Sequence, residues 1–370
     1  KRPILFISVA VTLFFGYMAT KIELNDQFVQ YFDHSIEFRG DTEFMVENLT
    51  GIYGINYDLS AKSGEKISTP VTLEAIERFT LWLRDQPEVR HVYSLSDIMK
   101  RLNKNMHSDE EEWYKLPESA EMAGQYLLLY EMSLPYGLDL NDRINLDKTA
   151  TRMSVWLDDM TTRDIRNFKE KSEEWLVQNA PSLKDVEGTS PVVMFAYISE
   201  RNINAMTTGN LLSLLVISLC IMVALRSIKI GLFSIVPNLV PIVLGYGLWA
   251  MIVGQINMAV AICAAVSLGI IVDDSVHFLS KYLRARREKG LSSEDAVRYA
   301  FTTVGPALII TTCILMIGFG ILSFSAFQLN AYMGLLTMIV IGSALVADFF
   351  LLPTLLMVWE NRNERKKRSA

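Results

Sequence analysis

The sequence predicts an α-helical polytopic membrane protein of six spans, one and then five, with a large periplasmic α+β domain of ferredoxin-like βαβ units between the first span and the second. Three observations predict it. Six apolar runs are each about long enough to cross a bilayer. Acidic charge is concentrated in one long polar block, and that block alternates strand-like with helix-like segments. Of the 370 residues, 51% are hydrophobic and 21% charged, with a formal net charge of −6. Residues 21–205 hold 33 Asp+Glu against 20 Lys+Arg, whereas the remainder holds 8 against 15. An acidic soluble block set in a basic-flanked apolar chain excludes an ordinary soluble enzyme, and with no basic aromatic stripe it argues against nucleic-acid binding.

The first run, residues 4–20 (ILFISVAVTLFFGYMAT), follows Lys1-Arg2 and has about the minimum spanning length. A cleaved signal peptide shares this pattern, but Tyr17 stands where the cleavage rule wants a small residue two before Ala19. We therefore take 1–20 as a transmembrane helix, 21–204 as the soluble domain, 205–359 as a five-helix bundle and 360–370 as a basic cytoplasmic tail. The five later runs lie near 207–225, 230–253, 257–280, 302–325 and 331–358. Orientation follows from the bases: Arg226, Lys229, the stretch 281–298 and the tail all fall on one side if six crossings are counted. That side is cytoplasmic, so the acidic block is periplasmic.

Within the block, residues 52–60 alternate as a strand, 72–85 have helical spacing and 89–94 are strand-like again, with Pro70 and Pro87 as punctuation. Residues 151–157, 162–179 and 183–188 repeat the pattern, so two βαβ units are expected. Between them, residues 119–132 (SAEMAGQYLLLYEM) form an expected helical insertion whose leucines read as core. Cys220, Cys263 and Cys313 sit in apolar runs and read as core packing residues, with no disulfide or metal-ligand spacing. Ser292-Ser-Glu-Asp295 has the form of a capping box and predicts a short interfacial helix ending near Ala300.

Three acids lie inside the later apolar runs: Asp273, Asp274 and Asp348. A charge at the bilayer centre costs about 2.5–3.5 kcal/mol on insertion scales, and a purely gluing role could be filled by Ser, Thr or Asn without that cost. His277 stands four residues after Asp273 and three after Asp274, within helical reach of both, and an imidazole beside a carboxylate can pass a proton. Thr311 and Thr312 could support such a relay, although back-bonding to their own helix is the common fate of threonines. Pro237, Pro241 and the glycines at 245, 247, 318 and 320 loosen their spans and permit close packing.

These residues carry a family resemblance. Leu225-Arg226-Ser227, Pro237-Asn-Leu-Val-Pro241, Gly269-Ile-Ile-Val-Asp-Asp-Ser-Val-His-Phe278 and Ala347-Asp-Phe-Phe-Leu-Leu-Pro353, in an order of one span, a βαβ domain and five spans, resemble one half of an RND superfamily transporter. The chain looks closest to the branch that includes the mycobacterial large membrane proteins and the hopanoid exporters, and more distantly the Patched-like sterol-sensing domains. The resemblance implies a C-terminal half of a two-half pump in the bacterial inner membrane. It implies a porter domain, protons as the coupling ion with no other cofactor, and one or both of Asp273 and Asp274 as proton-relay residues, to which Asp348 is added as the mid-span acid of the last run. The implied partners are an N-terminal half or a second copy, a lipid or other hydrophobic substrate, and a periplasmic carrier or adaptor. Two rival readings are a Sec-type protein-export accessory subunit, expected to have one βαβ unit, and a non-pumping sterol- or lipid-sensing protein. No nucleophile elbow, P-loop or His-metal motif is present, so an enzyme is not expected. The substrate-binding residues are not named by the sequence.

Overall fold

The structure, a computed structural model, describes residues 2–62, 64–135 and 140–359, without the side chains of Arg2 and Leu24. The basic tail expected at 360–370 therefore lies outside the described residues, as does Lys1. The chain divides into two compact units: Lys1–Ile36 with Ser199–Ala370, and Glu37–Ile198.

Helix α1, Arg2–Ala19, begins the helical unit, and β1, Glu23–Leu24, follows it. The next ten residues are tied down by side chains rather than by regular structure. Asp26, 1% exposed, accepts hydrogen bonds from Tyr31 Oη at 2.5 Å and from Ser199 Oγ at 2.6 Å, which satisfies both oxygens of a buried carboxylate.

The second unit starts with α2, Glu37–Asn48, and then forms β2, Tyr53–Ser60. Its period of two turns Tyr53, Ile55, Tyr57 and Leu59 inward. Helix α3, Pro70–Arg84, with Pro at its first turn, leads to β3, Val89–Tyr93. Two further helices, α4 at Leu95–Met106 and α5 at Ala120–Ser133, precede β4, Ala150–Leu157. Helix α6, Thr162–Asn179, capped by Thr161, returns the chain to β5, Gly188–Thr189. The sheet order is β3-β4-β2-β5 with antiparallel neighbours throughout, so each of α3 and α6 crosses over one intervening strand. The second return strand is shorter than the expected 183–188: residue 183 makes only an isolated bridge to Ala61, and pairing in β5 begins at Gly188.

The core of this unit brings Phe79, Trp82 and Trp175 together with nearly parallel rings, each stacked on the other two, and sets Tyr57 edge-on to Phe79. Tyr57 is wholly buried and its hydroxyl meets Ser172 Oγ at 2.7 Å; burial pushes that phenol above its usual range. Helix α5 departs from the expected core stripe. Only Ala123 and Leu127 are buried, and Leu128, Leu129 and Met132 are exposed. Three consecutive leucines step by about 100° around a helix and cannot share one face.

Helix α7, Pro191–Ala224, starts in the second unit, where Val193 and Ala196 join its core, and continues into the helical unit. The tight connection to α8, Ile228–Ile252, explains the Leu-Arg-Ser motif: Arg226 takes a left-handed φ of 45°, Ser227 caps α8, and Arg287 donates to the Leu225 carbonyl at 3.0 Å. A short strand β6, Gln255–Ile256, pairs in parallel with β1. Then come α9, Met258–Arg287, α10, Ser293–Leu322, and α11, Gln328–Val346, which runs through a π turn at Ala347–Leu351 and on to Trp359.

Among the described residues five helices are long and apolar enough to cross a membrane, and Pro3–Ala19 is a shorter apolar helix. Helix α8 packs against α1, α9 and α11. Its glycines make this possible: a Cβ at Gly247 would strike the Phe15 carbonyl, and one at Gly245 would strike Val340.

Two expectations are corrected here. The interfacial helix expected to end near Ala300 does not exist separately, because α10 runs unbroken from Ser293 through Pro306. Ala296, Val297 and Ala300 are buried with Phe278 and Tyr282 of α9, so their apolar face is used in protein packing rather than on a lipid surface. Of the three cysteines only Cys263 is core; Cys220 and Cys313 are exposed on helices whose outer faces are as apolar as their inner ones.

Candidate functional site in the helical unit

The Asp-Asp decapeptide lies in the middle of α9 and distributes its polar groups around the helix. Asp273 and His277, one turn apart, share the outer face, with side chains 72% and 60% exposed and His277 Nε2 3.5 Å from Asp273 Oδ1. That separation is an ion-pair contact and too long for a good hydrogen bond. Asp274, about 100° further round, is half-buried. Ser275 is fully buried and donates to Asp348 Oδ1 at 3.0 Å.

The structure thus separates the predicted residues into two groups. The first lines an open groove of about 890 Å³ between α9 and α10, whose wall carries Asp273, Asp274, His277 and Thr311 among apolar residues such as Leu308 and Ile314. Thr311 donates to its own helix at the Ala307 carbonyl, 2.9 Å away, leaving its hydroxyl lone pairs toward the groove. The second group is interior. Asp348, 2% exposed, sits in the π turn of the last helix, and its Oδ2 has no hydrogen-bond partner among the described residues. π turns inside α-helices are frequent at functional positions. Thr312 is buried too and its hydroxyl is likewise unpartnered, on the side of α10 away from the groove-lining Thr311.

Ser275 was present in the sequence motif without being recognised as the link to Asp348. A hydroxyl directly after two acids in an apolar run was the available signal. No group of three or more His, Cys, Asp or Glu residues that could hold a metal occurs among the described residues.

Long apolar helices with carboxylates set in their midst define a multi-pass membrane protein. The sequence model of the MMPL family matches residues 142–370, and the chain belongs to that family, whose members are transporters of the RND/MMPL type. It is also similar to a Methanocaldococcus jannaschii protein described by name only as a membrane protein, with 25% identity over 154 residues. That match takes in 42% of this chain and 39% of the relative's length.

Proposed function

We propose that this chain forms part of a proton-motive-force-driven exporter of hydrophobic or lipid-like substrates in the bacterial inner membrane, with Asp273, Asp274 and Asp348 as proton carriers. The observation that carries the reading is the placement of these three carboxylates in apolar helices in two different environments, one open and one closed. A proton that neutralises a carboxylate removes the cost of holding its charge in oil, so protonation and release shift the balance between helix arrangements. His277 is the imidazole beside Asp273, Thr311 lines the same groove, and Thr312 is an interior hydroxyl on the same helix as Thr311. Protons are the coupling ion, and no other cofactor is required.

A pair such as Asp273 and His277 would be costly against lipid tails, so the groove between α9 and α10 is read as facing another protein surface, either an N-terminal half or a second copy. The second unit, Glu37–Ile198, is read as the body of a periplasmic porter domain, for which the sequence suggests bounds of 21–204. Its β3-β4-β2-β5 order, with two crossovers, supports the ferredoxin-like description and weighs against a Sec-type accessory subunit, for which one βαβ unit is expected. A periplasmic carrier or adaptor would receive the substrate there.

The test is proton flux. Full-length protein reconstituted in liposomes with a trapped pH-sensitive dye should dissipate an imposed pH gradient when a short-chain fluorescent lipid is added. Asp273→Asn combined with Asp274→Asn should leave the gradient intact, and an unchanged rate of dissipation in that variant would remove the coupling scheme.

A further inference from the structure

The second unit carries an open cavity that the proton reading does not use. It is a groove of about 610 Å³ between α4 and the last turns of α5, walled by nine residues. Its α4 wall runs from Asp97 to Met106 at helical spacing, so one face of that helix lines it for about 13.5 Å. Leu129 and Tyr130 of α5 stand on the other side.

The groove exists because α5 is fastened through its earlier turns and not its last. Ala123 and Leu127 are its buried residues, and Tyr126 Oη donates to Asn103 Oδ1 of α4 at 3.3 Å. Asn103, 2% exposed, in turn donates to the Trp113 and Lys115 carbonyls at 3.2 and 3.0 Å, which straps the connection between the two helices to α4. Contacts outside the groove thus hold its walls, so the cavity is already formed before anything enters it.

Two features point to the occupant. The first is apolar surface. The second unit sorts apolar side chains inward, as β2 shows, yet Met106 and Leu129 stand exposed along this groove beside the half-buried Ile98. The second is charge. Asp97 and Arg101 are the charged residues of the wall. Asp97 is engaged: Arg84 donates to its two oxygens at 3.1 and 2.5 Å, and Lys100 Nζ lies 3.4 Å from Oδ1. Arg101 is exposed, and its guanidinium has no hydrogen-bond or ion-pair partner among the described residues. An apolar trough with one unpaired guanidinium is complementary to an aliphatic chain that ends in an anion, and the planar fork matches a carboxylate through two parallel hydrogen bonds. A protein partner fits less well. Stable protein interfaces take about 20–30 residues a side, whereas nine wall this groove, and its volume falls in the range of roughly 300–1,000 Å³ of small-ligand sites.

We propose that the groove between α4 and α5 binds a single-chain amphiphile with a carboxylate head, its chain along Ile98 and Leu129 and its carboxylate on Arg101. This deepens the exporter reading, on which it rests for the ligand's role as cargo, by giving that cargo a negative head. Binding is measured without a gradient, so the two readings fail separately.

In the experiment, full-length protein in amphipol, which leaves no free micelles to hold the probe, is titrated at neutral pH with dansyl-labelled undecanoic acid and, in parallel, with dansyl-labelled undecanol. The acid should bind saturably with a blue shift of dansyl emission, and unlabelled dodecanoic acid should displace it. Arg101→Gln should weaken acid binding about tenfold or more, the equivalent of a hydrogen bond to a charged group, and leave the weaker binding of the alcohol where it was. Arg101→Lys should fall between, and Leu129→Asn should weaken both probes. Both positions are exposed, so neither change threatens the fold. Asp273→Asn with Asp274→Asn should bind the acid as the wild type does. Uptake that does not saturate, equal affinity for acid and alcohol, or undiminished acid binding in both Arg101→Gln and Leu129→Asn would overturn the proposal and leave the groove to a partner helix. Loss of acid binding in the Asp273 and Asp274 double variant would put the probe in the helical unit and overturn it as well. Saturable, Arg101-dependent binding in a protein that dissipates no pH gradient would instead fault the exporter reading and leave the site standing.

Discussion

In the second unit β2 buries Tyr53, Ile55, Tyr57 and Leu59 and leaves Asp58 outside, as the alternation of apolar and polar residues dictates. The helical unit buries by a different rule. Ile309, Ile310, Ile314, Ile317 and Ile321 of α10 are all exposed, while Ser234, Asn238, Ser267, Ser275, Thr337 and Asp348 are buried. Where the surroundings are hydrocarbon, apolarity no longer sorts residues inward; small size and hydrogen-bonding capacity do. The difference teaches that the same side chain carries opposite information in the two units. A serine in β2 marks the surface end of a strand, whereas a serine in α9 marks the interior.

This contrast can be attacked directly. The largest effect is expected on transport: Asp273→Asn with Asp274→Asn should lower proton-coupled flux by about a hundredfold or more, in the range for removing a proton-transfer group, with little change in thermal stability. A matching loss of stability would mean that these acids hold the groove together rather than carry protons.

Next is Phe79→Ala in the second unit, which removes the ring at the centre of the Tyr57, Trp82 and Trp175 cluster. It should cost about 3–5 kcal/mol, read from denaturant unfolding of the intact protein followed by tryptophan fluorescence. Gly247→Leu is the counterpart in the helical unit, where the sensitive residue is the smallest. With the Phe15 backbone in the way it should cost about 1–3 kcal/mol or prevent folding, and Gly209→Ala, whose Cβ would meet nothing within 4 Å, should show that substitution at a glycine is not itself the cause.

A smaller effect distinguishes the outer face of α10. Ile317→Ala should change stability by less than about 0.5 kcal/mol in detergent, despite removing as many carbons as Ile76→Ala in the soluble core. A cost comparable to Ile76→Ala would mean that the face is covered by protein.

The smallest is a pH effect confined to the second unit. Burial pushes the Asp159 carboxyl above the ordinary carboxylate range, opposed by the hydrogen bond from Tyr53 and the charge of Arg39. A folded carboxyl with a raised pKa binds protons more readily than its unfolded counterpart, so its contribution to stability grows as pH falls through that raised value and is lost as pH rises through it. Asp159→Asn should flatten that part of the stability profile in a pH series of thermal melts.

Much of this was legible in the chain itself. The five long apolar runs, the acidic block and the two βαβ units needed only composition and periodicity, because a lone span must satisfy its backbone internally and a strand must alternate. The helix edges were harder to read. The sequence places a boundary after Ala300, yet α10 continues because Ala296, Val297 and Ala300 find Phe278 and Tyr282 across the interface. Cys220 and Cys313 are exposed, against the expectation from their apolar runs, because apolarity does not point inward in a bundle of this kind.

The sequence by itself determined which residues are unusual: three acids in apolar runs, a histidine one turn from the first, and two prolines inside one span. Only the tertiary structure decided that Asp273 faces an open groove while Asp348 is sealed beside Ser275, residues 73 positions apart. The energetic penalty of a carboxylate in oil is a property of one residue and can be read from its neighbours in the chain. Relief of that penalty depends on which helix brings a partner to the same depth, and that is set by where glycines such as Gly245 and Gly247 let backbones approach.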